Sequence, residues 1–487
     1  MCLATTLLLS FPRNAEASAA RRLTVSLTFD DGFASQLVAG RILDRYDMRG
    51  TFYINSGLVG LPGYLALEDL DSLKAAGHEI GGHTVTHADL PTLSATEANR
   101  QICQDRQTLM SWGFDVSSFA YPYSAFKPSV ERIAQQCGYR TARAVGSLKS
   151  PHSCADCPVT ESVPPADLYA TRTPDDIDTS WSLADLRNTV MRAEESGGWL
   201  TFNLHHICDG CSPASIRPAE FEQFTAWLKR RSSTSARTTV RTVQQVITGA
   251  TKPAVAATPP PPPRSPGKNS LRNHSLEVAG GTGSALPHCW SAASSGSHEP
   301  KHSRTTDAHT GTFAAKITMP RGTDGDAKLI PTLDLGDCAP SVTSDHIYEV
   351  SAWYRSNTEV YFTLYQRDAA GQWAYWTQSP AMTAAKGWTK ATWITPPVSS
   401  DAVAMSVGLT IDSPGTLTVD DLSFVDETPA AARPTTPPAA EDADRIDYAA
   451  YTEDQSADGG WLGIVCITIA LLALVAGLLD SYRTKAH

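Results

Sequence analysis

Leu23-Thr24-Val25-Ser26-Leu27-Thr28-Phe29-Asp30-Asp31-Gly32 opens the first folded part of this 487-residue chain. An apolar and β-branched run ends there in two adjacent carboxylates and a glycine, which predicts a buried strand and then, at once, a turn. Parallel α/β folds place their working groups at the carboxyl ends of strands, so Asp30 and Asp31 stand where chemistry is expected. Further strand-like runs (Thr51 to Asn55, Trp199 to Leu204) alternate with helical stretches (Leu67 to Ala76, Thr96 to Trp112, Ser129 to Cys137). That alternation makes residues 22–249 an α/β domain with a mainly parallel sheet or barrel.

The composition changes sharply after this domain. Residues 250–269 collapse into Ala, Thr and Pro, and the run Pro259 to Pro263 predicts a semi-rigid polyproline spacer that isolates the second half of the chain from the first. Residues 270–426 lack helical periodicity and carry alternating segments (Tyr348 to Tyr354, Val360 to Gln366, Thr416 to Phe424), which predicts an all-β sandwich. A second connector rich in Pro, Ala and acid covers 427–458. The formal net charge of −11 comes with no long basic run, so a nucleic-acid binder working by phosphate neutralisation is excluded.

The run from Gly459 to Leu479 holds no charge. Its 21 residues make a helix about 31 Å long, close to the hydrocarbon thickness of a bilayer. Arg483 and Lys485 come after it and acidic residues precede it. The positive-inside rule therefore leaves only the tail 480–487 in the cytoplasm and puts both folded domains outside a cell membrane crossed once. At the other end, Leu3 to Leu9 and the small residues Ala15, Ala17 and Ala19 mark 1–20 as a secretory signal peptide, although the usual positive n-region is missing. Without Cys2 and Cys466, eight of the ten cysteines remain, six in the first domain and two in the second. Disulfides are the natural reading in an oxidising compartment. The alternative joins Cys154-x-x-Cys157 and Cys208-x-x-Cys211 as a four-thiolate zinc site.

Four motifs in the first domain belong together. After Thr28 to Gly32 come Gly81-Gly82-His83-Thr84-Val85-Thr86-His87, then Phe119-Ala120-Tyr121-Pro122-Tyr123, then Leu200 to His206. Two imidazoles four residues apart reach one metal from one face of a helix. A second pair, His298-Glu299-Pro300-Lys301-His302, imitates a zinc-protease signature, but Pro300 breaks the helix that signature needs.

In this order the set resembles the NodB-type polysaccharide deacetylases, carbohydrate esterase family four, over residues 22–249. The resemblance implies a distorted (β/α) barrel carrying a divalent metal, usually zinc. It implies that Asp31, His83 and His87 hold the metal and that Asp30 is the general base on the attacking water. The backbone N–H of Tyr123 helps to hold the oxyanion, Pro122 and Tyr123 line the substrate site, and His205 protonates the departing amine. Two departures stand out. Many members carry an Arg where this chain has Ala120, so the group that orients Asp30 is open, with Arg172 as one substitute. His206 replaces an Asp that often comes after the acid histidine. The fourth motif of the family, an Asp near a Trp, is matched loosely by Asp178 and Trp181.

Residues 270–426 look like a jelly-roll carbohydrate-binding module, in which exposed aromatic faces stack on sugar rings. Trp373 and Trp376, beside the turn Asp368 to Gly371, form the expected outward pair, Cys289 and Cys338 the expected crosslink, and Glu277 and Asp420 a potential structural calcium site. The expected activity is hydrolysis of N-acetyl groups from an extracellular or cell-wall polysaccharide: poly-N-acetylglucosamine, a chitin-like polymer or the peptidoglycan glycan. The alternatives are a glycan-binding surface protein whose barrel has lost activity, and an esterase removing O-acetyl groups.

Overall fold

In the computed structural model, residues 22–234, 238–280, 286–295, 300–320 and 325–429 are described. The signal region 1–20, the apolar run 459–479, the tail and nearly all of the second connector lie outside them. Among the described residues no helix is long and apolar enough to cross a membrane.

The first domain is built on parallel strands β1 (Leu23–Phe29), β2 (Thr51–Ile54), β3 (Glu79–Gly82), β4 (Ser118–Ala120), β5 (Thr141–Ser147), β6 (Thr171–Thr173) and β7 (Gly198–Leu204). Neighbouring strands pair in the order β7-β1-β2-β3-β4-β5-β6. β8 (His206–Ile207) and β9 (Ser215–Ile216) form a separate parallel pair, and β10 (Thr238–Val240) joins β1 along Leu23 to Val25. The gap between the first and last strands is narrow, because Ile177 N, just beyond β6, donates to Asn203 O of β7 at 2.9 Å. The result is the nearly closed parallel barrel that the alternation predicts.

Helices α1 (Gln36–Arg45), α2 (Leu67–Ala75), α3 (Ala95–Asn99), α4 (Asp105–Ser111), α5 (Pro128–Gln136), α6 (Leu183–Ser196), α7 (Pro218–Thr234) and α8 (Val243–Val246) are interleaved with the strands in chain order. β1 is covered on both faces: Leu23, Val25, Leu27 and Phe29 are fully buried on one, and on the other the equally buried Ser26 and Thr28 donate their hydroxyls to Arg241 O and Phe202 O. α6 starts on a capping box in which Ser182 Oγ accepts from Asp185 N and Asp185 Oδ2 accepts from Ser182 N. The long helical stretch expected over 96–112 is interrupted by one π-helical turn, Arg100–Gln104, between α3 and α4. Such turns recur at functional sites.

The second domain is a sandwich of two five-stranded antiparallel sheets. Its strands are β11 (Trp290–Ser295), β12 (Lys301–Thr305), β13 (Ala314–Met319), β14 (Asp326–Pro331), β15 (Tyr348–Ser356), β16 (Tyr361–Asp368), β17 (Trp373–Gln378), β18 (Ala385–Ile394), β19 (Ala402–Ile411) and β20 (Gly415–Asp426). One sheet runs β11-β14-β19-β16-β17 and the other β12-β13-β20-β15-β18. Their facing apolar residues, among them Phe362, Leu364, Val407, Leu409, Val419 and Phe424, make one core. His302 sits on β12 with Nε2 3.1 Å from Lys328 O, so the protease-like motif ends on a strand.

The spacer does not isolate the sandwich. Arg106 donates from Nη2 to Lys252 O and from Nη1 to Pro253 O, and Arg100 donates to the carbonyls of Thr258 and Pro259. On the other side Ser341 Oγ donates to Pro261 O at 2.6 Å. A polyproline run has no internal hydrogen bonds, so its carbonyls are free to be taken up by both domains.

The eight cysteines pair as Cys103–Cys137, Cys154–Cys157, Cys208–Cys211 and Cys289–Cys338. The crosslink within the sandwich is as expected. The four-thiolate zinc alternative is ruled out, since each CxxC closes on itself.

Candidate metal centre

β1 delivers Asp30 and Asp31 at its carboxyl end, where Asp30 N donates to Leu204 O of β7 at 3.0 Å. Asp31 then turns the chain with φ +76°. β3 ends at Gly82, whose missing side chain is required: a Cβ there would lie 1.9 Å from the Tyr139 hydroxyl. His83 and His87 come next, and the helix expected from their spacing is corrected. They lie on a loop after β3 and on no helix. The imidazoles converge because Thr84 (φ +72°) and His87 (φ +56°) take left-handed backbone conformations. Such conformations persist on side-chain-bearing residues only where the surroundings over-determine them, and they concentrate at working sites. Tyr123, also at φ +56°, stands over His87 with ring centroids 4.5 Å apart.

Asp31 Oδ1 lies 3.2 Å from His83 Nε2 and 3.1 Å from His87 Nε2. Ligand-competent atoms of the three residues all fall within 4.8 Å of one another. His83 Nδ1 is 2.8 Å from Ala120 O. If the ring donates there, Nε2 faces Asp31 with a lone pair. Asp31 Oδ1 is itself buried without a hydrogen-bond partner. One carboxylate oxygen and two imidazole nitrogens converging at these distances are a donor set that a divalent cation satisfies, so the residues present fit such an ion. Burial would raise the Asp31 carboxyl, but the two imidazoles beside it overcome that and hold it well below the ordinary range. Among the described residues this is the one grouping of its kind. Glu277 and Asp420, the calcium candidates, instead accept backbone N–H groups: Thr312 and Phe313 for Glu277, His309 and Thr310 for Asp420.

Asp30, 4 % exposed, is gripped at both carboxylate oxygens by Arg143 Nη2, 2.5 Å from Oδ1. Burial pushes its carboxyl up, and Arg143, aided by His83, more than reverses this, so Asp30 stays ionised below the usual carboxylate range. Arg143 is the group that fixes the Asp30 carboxylate, and the motifs do not reveal it. It sits on β5, and its register partner on β4 is Ala120, the position at which many members carry their Arg. The guanidinium lies over the Tyr53 ring, 5.2 Å from the centroid. The available signal is an Arg at an inward strand position amid Ala142, Ala144 and Val145.

Arg172, the expected substitute, faces elsewhere: it pairs with Glu161 at 2.7 and 2.8 Å. Arg172→Ala is therefore expected to leave kcat within about twofold while lowering stability by about 1–3 kcal/mol, because Glu161 is left buried without its cation. Acetate-release kinetics beside thermal melting check this, and a hundred-fold loss of kcat would return the orienting role to Arg172.

His205 closes the site from the end of β7, with Nε2 3.9 Å from Asp31 Oδ2 and a buried Nδ1 that no group bonds. Gln36 Nε2 donates to the backbone carbonyls of both Asp30 and His205 and so ties the two residues together. A cavity of about 590 Å³ is lined by Asp30, Asp31, His83, His87, Tyr123 and His205, together with Asp175 and Asp176. Asp178 lies outside that lining and accepts from Ser180, while Trp181 is buried. Pro122 is buried beneath Tyr123. His206 stacks on Phe33 at 3.9 Å, which gives it a packing role.

The aromatic pair of the sandwich is also corrected. A bulge shifts the β16–β17 register between Leu364 and Tyr365 and turns Trp376 against the sandwich core. Trp373 buries its indole nitrogen. Tyr375, between them, is the exposed ring at 55 %.

Residues 17–142 match the family described as Polysaccharide deacetylase. A chitin deacetylase of a Pestalotiopsis species is 36% identical over 92 residues, 18% of this chain and 30% of that protein. Peptidoglycan-N-acetylglucosamine deacetylase PgdA of Listeria monocytogenes is 28% identical over 118 residues, 23% of this chain and 24% of that protein. The chain thus spans less than a third of the length of either relative. Among solved structures, a family 4 carbohydrate esterase from Streptomyces lividans in complex with acetate covers 45% of this chain and 91% of its own, at 15% identity and a TM-score of 0.31. The likeness to polysaccharide deacetylases is thus carried by residues 17–142.

Proposed function

We propose that the protein is a metal-dependent hydrolase that removes N-acetyl groups from an extracellular or cell-wall polysaccharide and releases acetate. The observation that carries this reading is the meeting of Asp31, His83 and His87 beside an ionised Asp30, at the floor of one open cavity. The two relatives, named for chitin and for peptidoglycan N-acetylglucosamine, support an N-acetylglucosamine polymer as substrate. The apolar run 459–479 supports a cell-membrane anchor with both folded domains outside, and the exposed Tyr375 supports glycan contact by the sandwich.

Asp31, His83 and His87 would hold the ion, zinc being the natural choice for two imidazoles and a carboxylate. When bound, it supplies a Lewis acid that polarises the acetyl carbonyl and acidifies water. Asp30, ionised and held still by Arg143, accepts the proton of the attacking water. His205, at the end of β7, carries a proton to the departing sugar nitrogen. Tyr123 bounds the space above His87 and leaves the cavity open to a sugar ring.

The test is acetate release from N-acetylglucosamine oligomers by the full chain. Treatment with a chelator should abolish release, and adding back zinc or another divalent ion should restore it. A chelated protein as active as the untreated one, or no acetate under any metal supplied, would overturn the reading.

A further inference from the structure

The loop that carries His83 and His87 is held almost entirely by bonds from elsewhere. Val85 N donates to Gln101 O and Thr86 N to Gln101 Oε1, both at 3.1 Å, and His83 N donates to Asp105 Oδ2 at 3.0 Å. These three bonds come from the helical stretch 95–111, in and beside its π-helical turn, and the remainder from the segment at the end of β2, where Asn55 Nδ2 donates to His83 O and Thr84 O and Gly57 N to Val85 O. That stretch is in turn gripped from behind by the sandwich. Leu335 N donates to Glu97 Oε1 at 2.8 Å, and the same oxygen accepts from Gln101 Nε2 at 3.3 Å. Arg100 Nη1 reaches Asp337 Oδ1 at 2.8 Å, and Gln104 Nε2 donates to Ala369 O at 3.0 Å.

A direct contact shortens this route. Gly371, at φ +95°, lies so near Val85 that a Cβ on it would come within 2.6 Å of Val85 Cγ1. Gln372 Nε2 donates across the same junction to Val59 O at 3.2 Å. Val85 is fully buried and stands midway between the two histidines. Glu97 and Gln101 are each only 1 % exposed, so the polar chain linking the two domains is shielded from water.

We infer that the sandwich is a positioning part of the metal centre: its turn 368–372 and its loop 334–338 hold Thr84 to Thr86 in the conformation that brings His83 and His87 to Asp31. The left-handed residues Thr84 and His87 are strained, and the second domain supplies part of the surroundings that over-determine them. This inference rests on the reading that the three residues hold a divalent ion. It adds that the sandwich serves the reaction even on a substrate too small to touch it.

The experiment compares the full chain with the double variant Asp337→Ala/Gln372→Ala, with Gly371→Val, and with Lys390→Ala on an exposed strand as control. Three quantities are measured: zinc affinity by competition with a chromophoric chelator, amide hydrogen exchange of Val85 and Thr86, and acetate release from N,N′-diacetylchitobiose. The double variant should bind zinc about tenfold more weakly, as loss of support around ligands does. Its loop amides should exchange faster and its turnover of the disaccharide should fall in step, while the exchange of β19 and β20 and all three readouts of the control stay unchanged. Zinc affinity and loop exchange equal to wild type in both sandwich variants would overturn the inference. Should Gly371→Val fail to fold, the double variant decides alone. If wild type takes up neither zinc nor any other divalent ion supplied, the metal reading falls, and the exchange comparison still decides whether the sandwich holds the loop.

Discussion

Asp30→Asn is expected to lower kcat for acetate release by about a thousand-fold, within the 10²- to 10⁴-fold range of a positioned general base, while the zinc content of the protein stays at wild-type level. The substitution preserves shape. The backbone of residue 30 remains tied by its own N–H to Leu204 O, and Gln36 still donates to its carbonyl. Arg143 keeps one amide oxygen to bond. What disappears is the capacity to accept a proton, since a carboxamide is not basic in water. The ion's own partners, Asp31, His83 and His87, are untouched, so metal analysis separates loss of the base from loss of the site. A variant with kcat within tenfold of wild type would remove Asp30 from the mechanism and leave the proton to another group lining the cavity, with His205 the first to examine.

The parts of the fold and site that are legible in the chain divide from the rest along a physical line. Strand β1 and the carboxylates after it are legible because they are local: a buried strand announces itself by its apolar run, and the turn by Asp-Asp-Gly. The grouping of Asp31 with His83 and His87 emerges from motif order, but its geometry does not. Spacing of four suggests a helix, whereas the observed loop depends on left-handed φ values at Thr84 and His87, which residue type does not announce. Arg143 is out of reach for a different reason. Its link to Asp30 depends on the register of β4 against β5, a pairing across the sheet that no periodicity within either strand specifies. The bulge that turns Trp376 inward is likewise a property of two strands together. The spacer misleads because its composition describes its stiffness, while its position depends on the arginines of another element.

Arg143→Met is expected to lower kcat by about a hundred-fold and to move the acid limb of the pH–rate profile upward. The sign comes from the two opposed influences on Asp30. Burial favours the neutral acid, and Arg143 favours the carboxylate strongly enough to leave it ionised below its ordinary range. With the guanidinium gone, burial is unopposed, the carboxyl takes up its proton at a higher pH, and the base is lost over a window that begins nearer neutrality. Arg143→Lys should recover part of the rate and part of the profile, because it restores a cation without the planar fork. Stability provides the independent readout. Breaking a buried ion pair from one side costs about 3–5 kcal/mol, largely through the charge left behind. Arg143→Met should therefore melt well below wild type, and the double variant Asp30→Asn/Arg143→Met should regain much of that loss while remaining inactive. The pH dependence of folding must agree. Because the folded-state value for Asp30 lies below its unfolded one, its contribution is present above pH about 4 and fades as pH falls further, and Arg143→Met should abolish that fade. A single variant as stable as the double one, with an unmoved acid limb, would mean that Arg143 neither holds the charge on Asp30 nor orients it.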